Sequence, residues 1–160
     1  MVTKQELRED FQIYRVTTSG KTALTLTAIS ARRVITSVGV VIERAATRSA
    51  GAVDLLIGDS SDDDGFIKAA SALAAVNTIY GNTPEYLGEY LAYEETVEAN
   101  TQEQYSIPDA HTHPVFITRR VPYLFGKVYS SADAIYLKLN QSVDLEAILK
   151  VFVRSIILPQ

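Results

Sequence analysis

The residues of this chain that could do chemistry gather in two short stretches. The first is LLIGDSSDDDGFI, Leu55 to Ile67, which sets Asp59, Asp62, Asp63 and Asp64 between an apolar run and a Gly-Phe-Ile. Carboxylates packed into one turn can collect calcium, act as an acid–base pair, or simply belong to a polar connection between strands. An EF-hand loop needs acids at its first, third and fifth positions, Gly at the sixth and Glu at the twelfth. With Gly65 at the sixth, Ser60 falls at the first and Ser71 at the twelfth, so both end ligands fail. A looser calcium site over Asp59 to Asp64 stays open. Acid–base catalysis needs a cleft and a displaced pKa, whereas consecutive acids in a turn are ordinarily solvated. Asp and Gly also close hairpin-like connections. That plainer reading assigns no catalytic, cofactor-binding or metal-binding residue here.

The second stretch is HTHP, which holds both histidines, His111 and His113. On a strand, residues two apart point to one face and can share a metal. Two ligands are too few for structural zinc, and the rest would have to come from Asp109, a glutamate or symmetry-related copies. A proline-flanked loop is the simpler reading. Without cysteine there are no disulfides and no thiol nucleophile. No G-x-S-x-G elbow, P-loop or dinucleotide glycine pattern occurs. The pairs Arg32-Arg33 and Arg119-Arg120 could meet phosphate, but fit surface or interface positions as well. Nine tyrosines and no tryptophan suit a sugar-binding face or, more plainly, core edges and interfaces.

These groups must be positioned by strands. TALTLTAIS alternates threonine with apolar residues, the mark of a half-buried strand. RRVITSVGVVIERA is β-branched and reads as a strand with a bulge at Gly39. VDLLIG follows after a small-residue turn, DAIYLKLNQ alternates most cleanly, and LKVFVRSIIL reads as a closing strand. Phe11, Ile13, Tyr14 and Val16 form a first strand behind a charged arm, and VFITRRVPYLFGKVYSS holds one or two strands interrupted at Pro122. The apolar spacing of GFIKAASALAAV predicts a short helix with Asp64 as its N-cap. About eight strands with one or two short helices predict a mainly β fold, an antiparallel β-sandwich or jelly roll.

A chain of 160 residues fits one domain with a real core. The expected division is an arm and first strand over residues 1–19 and a sandwich over 20–160. No apolar run approaches the roughly 20 residues of a membrane helix, and the charged start shows no apolar signal core. Net charge is −4, which argues weakly against nucleic acid as the main partner. From Ala69 to Thr118 there are seven acids and no Lys or Arg. An acidic, loop-rich insertion is therefore expected at about 77–118, as a solvated face or as one side of a polarised protein.

The order of ISARRVITSVGVVIERAATRSAGAVDLLIGDSSDDDGFIKAA and, far downstream, PYLFGKVYSSADAIYLKLNQSVDLEAILKVFVRSIIL resembles small β-sandwich virion proteins of tailed bacteriophages. The resemblance covers roughly residues 20–75 and 120–158. It implies a non-enzymatic decoration (cement) protein on the capsid exterior, with the major capsid protein and further copies of itself as partners, and neither nucleic acid nor membrane. Symmetric closure makes a homotrimer the expected assembly, and no cofactor is called for. The alternative is a receptor- or carbohydrate-binding module of a phage tail or fibre, using Tyr86, Tyr90 and Tyr93 with calcium at Asp59 to Asp64. An enzyme built on His111 or His113 is a third possibility.

Overall fold

A computed structural model describes residues 8–99, 115–123 and 126–159. Its strands are β1 (Arg8–Thr17), β2 (Leu24–Ile29), β3 (Arg33–Arg44), β4 (Asp54–Gly58), β5 (Ile67–Ser71), β6 (Ile79–Tyr80), β7 (Ala92–Ala99), β8 (Val115–Pro122), β9 (Lys127–Tyr129), β10 (Asp133–Leu139) and β11 (Ile148–Ile157). One sheet runs β1-β11-β3-β6, with β9 also paired to β3. The facing sheet runs β2-β10-β4-β5, and β7 and β8 form a separate two-stranded ribbon. All the strand pairs are antiparallel.

Two interleaved four-strand orders of this kind make a jelly roll, so the expected antiparallel sandwich is what forms. Eight strands carry the pattern. Between β6 and β10 the chain leaves it to build the β7–β8 ribbon and β9.

Alternation drives the closure. Along β11, Leu149, Val151 and Val153 are buried while Lys150 and Arg154 face water. Ile35, Val38, Val40 and Ile42 of β3 point inward with them and join a core that includes Leu55, Ile57, Ile135, Leu137 and Leu139 of the opposite sheet. A side chain is inside because its residue parity places it there.

Two local expectations fail. The helix expected over GFIKAASALAAV is replaced by β5 and a turn. Ile67 and Ala70 are wholly buried, and β5 pairs with β4 through a register shift at Ala69, whose φ is +53°. Ladder bonds and burial override the helical preference of alanine. Asp64 consequently lies in a strand connection and caps no helix. The short helical segment is instead a 3-10 turn at Pro84–Tyr86. The bulge expected at Gly39 is also displaced. Gly39 stays in register with Phe152, and the shifts leave Thr36 and Glu43 as the extra residues of β3. A bulge requires an extra residue, and glycine is only one way to host it.

Leu137 is fully buried at the centre of β10. Leu137→Ala is expected to lower unfolding free energy by about 3 kcal/mol through lost contacts and a cavity. The readout is a lower urea midpoint at unchanged slope, and a loss under about 1 kcal/mol would contradict its core position.

Candidate functional site

The acidic stretch answers the question raised by its sequence: it is the β4–β5 connection, wound around one buried carboxylate. Asp59 leaves the end of β4 and is only 4% exposed. Its Oδ1 accepts hydrogen bonds from the backbone N–H of Ser61 at 2.9 Å and of Asp62 at 3.1 Å, and from the Tyr90 hydroxyl at 2.8 Å. Its Oδ2 accepts from the Tyr129 hydroxyl at 2.7 Å. The Lys127 ammonium lies 3.9 Å from Oδ2 and 3.9 Å from the centre of the Tyr90 ring.

The backbone closes tightly around this node. The Asp59 N–H donates to the Asp62 carbonyl, while Gly65 and Phe66 carbonyls receive the N–H groups of Tyr90 and Gly88. A Cβ on Gly58 would lie 1.9 Å from the Asp62 carbonyl oxygen, and one on Gly88 2.1 Å from that of Asp64. Glycine is required at both positions because backbone passes where a side chain would start.

Burial works to raise the Asp59 pKa, but the bonds from Tyr129, the Ser61 N–H, Tyr90 and the Asp62 N–H outweigh it and hold the carboxyl below the usual aspartate range. Tyr129 and Tyr90 are pushed well above the ordinary phenol value, first by burial and then by the Asp59 charge. The group is thus an ionised carboxylate between two neutral phenols, accepting three hydrogen bonds on Oδ1 and one on Oδ2. It fastens β4, β9 and the approach to β7 to one another.

Asp62, Asp63 and Asp64 bring carboxylate oxygens within 4.8 Å of one another at the rim. They are the described residues best placed to hold a cation. Positive charge is already supplied there, since Lys138 of β10 pairs with Asp63 and Lys68 lowers the Asp64 pKa. Asp64 itself is pushed up to about 6, by burial first and then by Asp62 and Asp63. Ser60 donates to Asp133 at 2.8 Å.

The other singled-out residues scatter. His111, His113 and Asp109 lie outside the described residues. Arg33 bonds Asp10 and Ser155, and Arg32 donates to the Pro159 carbonyl. Arg119 pairs with Glu95 across the ribbon. Arg120 is largely buried and donates to the Leu87 carbonyl at 2.8 Å and the Pro84 carbonyl at 3.2 Å, docking the ribbon onto the sandwich. The Tyr86 ring packs edge-on against Tyr80, and Tyr90 against Phe66. Lys127 and Tyr129 were missed by sequence reasoning. Their two-residue spacing within GKVYSS, which puts both on one face of a strand, was the available signal.

A shallow cleft of about 210 Å³ opens between β3, the 3-10 turn and the end of β8, lined by Thr36, Ser37, Asn82, Pro84, Leu91 and Tyr123 among others. None of its described lining side chains is charged.

No family model matches this sequence, and no curated protein matches it. Among solved structures, a chain described as "Cyanophage Pam1 capsid asymmetric unit" is similar across 99% of this chain and 93% of its own length, with a TM-score of 0.56 and 10% identity. At that identity the likeness is one of fold.

Asp59→Ala strands the Tyr90 and Tyr129 hydroxyls and two backbone N–H groups, and is expected to cost roughly 3 kcal/mol or more, against about 1.5 kcal/mol for Tyr129→Phe. Urea unfolding reads both, and near-neutral behaviour of Asp59→Ala would remove the node's structural role.

Asp64 gives a separate pH signature. The folded chain holds its proton more tightly than the unfolded chain, where the value is 3.8, so folding gains at this residue as pH falls through about 6 toward 4. Asp59 has the opposite sign, its contribution being present above the ordinary aspartate range and lost in stronger acid. Asp64→Asn should therefore raise the Tm at about pH 8 and lose that advantage by about pH 4. An offset equal at both pH values would show an unperturbed Asp64.

Proposed function

We propose that this chain is a non-enzymatic structural protein of a tailed-phage virion, a decoration protein that binds the head exterior across joints between capsid subunits. The observation that carries the reading is the fold likeness, over nearly the whole chain, to a chain from a phage capsid asymmetric unit. The jelly roll also serves lectins and cupins, so support must come from the surfaces as well. The deepest carboxylate is consumed in holding loops together, and two of the three tyrosines that a glycan site would need are engaged in internal packing. The outer surface meanwhile presents Phe11, Ile13, Ile79 and Val128, each more than half exposed. Scattered exposed apolar residues are ordinary, but Phe11 and Ile13 lie together on the same face of edge strand β1.

On this reading binding does the work. A domain that contacts the assembled shell and not its free subunits stabilises the shell by mass action. Copies that bridge two subunits at once also gain from effective concentration.

The test is co-sedimentation with assembled shells of the encoding phage. Saturable pelleting at a fixed copy ratio and a raised shell melting temperature are expected, both indifferent to chelator. Failure to pellet, joined with chelator-sensitive retention on a glycan array, would move the protein to the receptor-binding reading.

A further inference from the structure

We infer that β1 is a self-pairing edge: two copies of this chain join β1 to β1, antiparallel, about a twofold axis at Gln12, making one continuous sheet. The inference does not rest on the capsid reading.

Edge strands expose unpaired backbone donors and acceptors, and proteins that stay apart blunt them with bulges, prolines or very short strands. The other edges of the two sandwich sheets are blunted. β6 has two residues, β2 meets β10 through an irregular register, and β5 carries the distortion at Ala69. β1 is different. Its ten residues run in unbroken register with β11, without proline or bulge, and no described strand pairs with its other side.

Its side chains are complementary to themselves. Glu9, Phe11, Ile13 and Arg15 are the exposed set on its outward face, while Asp10, Gln12, Tyr14 and Val16 are half-buried toward the opposite sheet. Directly opposed residues in an antiparallel pair share a face, so a continuous sheet requires odd positions opposite odd ones. Centring on Gln12 sets Glu9 opposite the partner's Arg15 and Phe11 opposite the partner's Ile13, each twice by symmetry. It also sets the two Gln12 amides, each both donor and acceptor, across the axis. Within one chain Glu9 already binds Arg154, and Arg15 binds Glu43. The junction would therefore run Arg154, Glu9, the partner's Arg15, the partner's Glu43, alternating in sign throughout. Centring on Ile13 instead would oppose Phe11 to the partner's Arg15 and lose both complementary pairs. Phe11, stacked on Phe152 at 6.1 Å, and Ile13 remain 60% and 57% exposed without this contact. A twofold contact of this kind closes a dimer, a different assembly from the trimer expected from the sequence.

Sedimentation equilibrium of the full chain tests it. Twice the chain mass is expected at about 100 µM, and a monomer or a trimer there overturns the proposal. Phe11→Lys and Ile13→Glu should each weaken dimerisation roughly tenfold or more, and combining them should restore it through a new opposite-charge pair. Weakening by both singles without rescue would overturn the Gln12-centred register. Hydrogen exchange on the unmodified chain is an independent readout. Amides of β1 should exchange more slowly at high than at low concentration, and unchanged rates would overturn the pairing.

Discussion

Each of the two sheets has a face that water rejects, and only the other sheet is broad enough to cover it. That mutual burial is the constraint from which the rest follows. It fixes register, because a one-residue slip would move Leu149, Val151 and Val153 of β11 outward and Lys150 and Arg154 inward. It accounts for the two extra residues in β3, Thr36 and Glu43, which let a twelve-residue strand stay in phase with a partner of ten. It also overrides local preference where the two conflict, as in the alanine-rich segment that becomes β5.

A closed sandwich leaves its rims to be held by other means, and at one rim a single carboxylate does so. Asp59 is the only charged side chain among the described residues that is buried outright. A carboxylate there is tolerable because four donors and a nearby ammonium replace its water. The cost of desolvation is offset only if all of those partners stay in place, so the node ties together elements far apart in sequence. Arg120 plays a related part for the β7–β8 ribbon by capping carbonyls of the 3-10 turn. Asp59 and Arg120, polar groups that first look like chemistry, thus hold loops in place.

Much of this was legible beforehand. Period-two alternation located the strands around Phe11, Leu26, Leu137 and Val153, β-branched composition the one around Val40 and a small-residue turn the one around Leu56, and the turns between them indicated antiparallel pairing. The Asp-rich stretch was readable as a connection. What could not be read was which of its four aspartates turns inward, because that depends on Tyr90 and Tyr129, 31 and 70 residues downstream. The GFIKAASALAAV segment misled because apolar residues on a short strand with one distorted position mimic helical spacing. The bulges were harder to place, although the one at Thr36 is marked in β3 by buried positions that pass from Ile35 to Val38 and so change parity. The self-complementarity of β1 was present in its ten letters, but it acquires meaning only once β1 is known to be an edge.

The described residues form a two-layer body, and on the function proposed above the outward face of the sheet holding β1, β11 and β3 is the surface that meets other protein. The most direct measurement of the proposed role is a cryo-EM map of the intact phage particle that, on this proposal, carries the chain. The account predicts density matching this jelly roll on the outside of the head, seated over joints between capsid subunits with its packed interior unchanged. Particles whose heads lack that density, with the chain located at a fibre tip or missing from the virion, would contradict it.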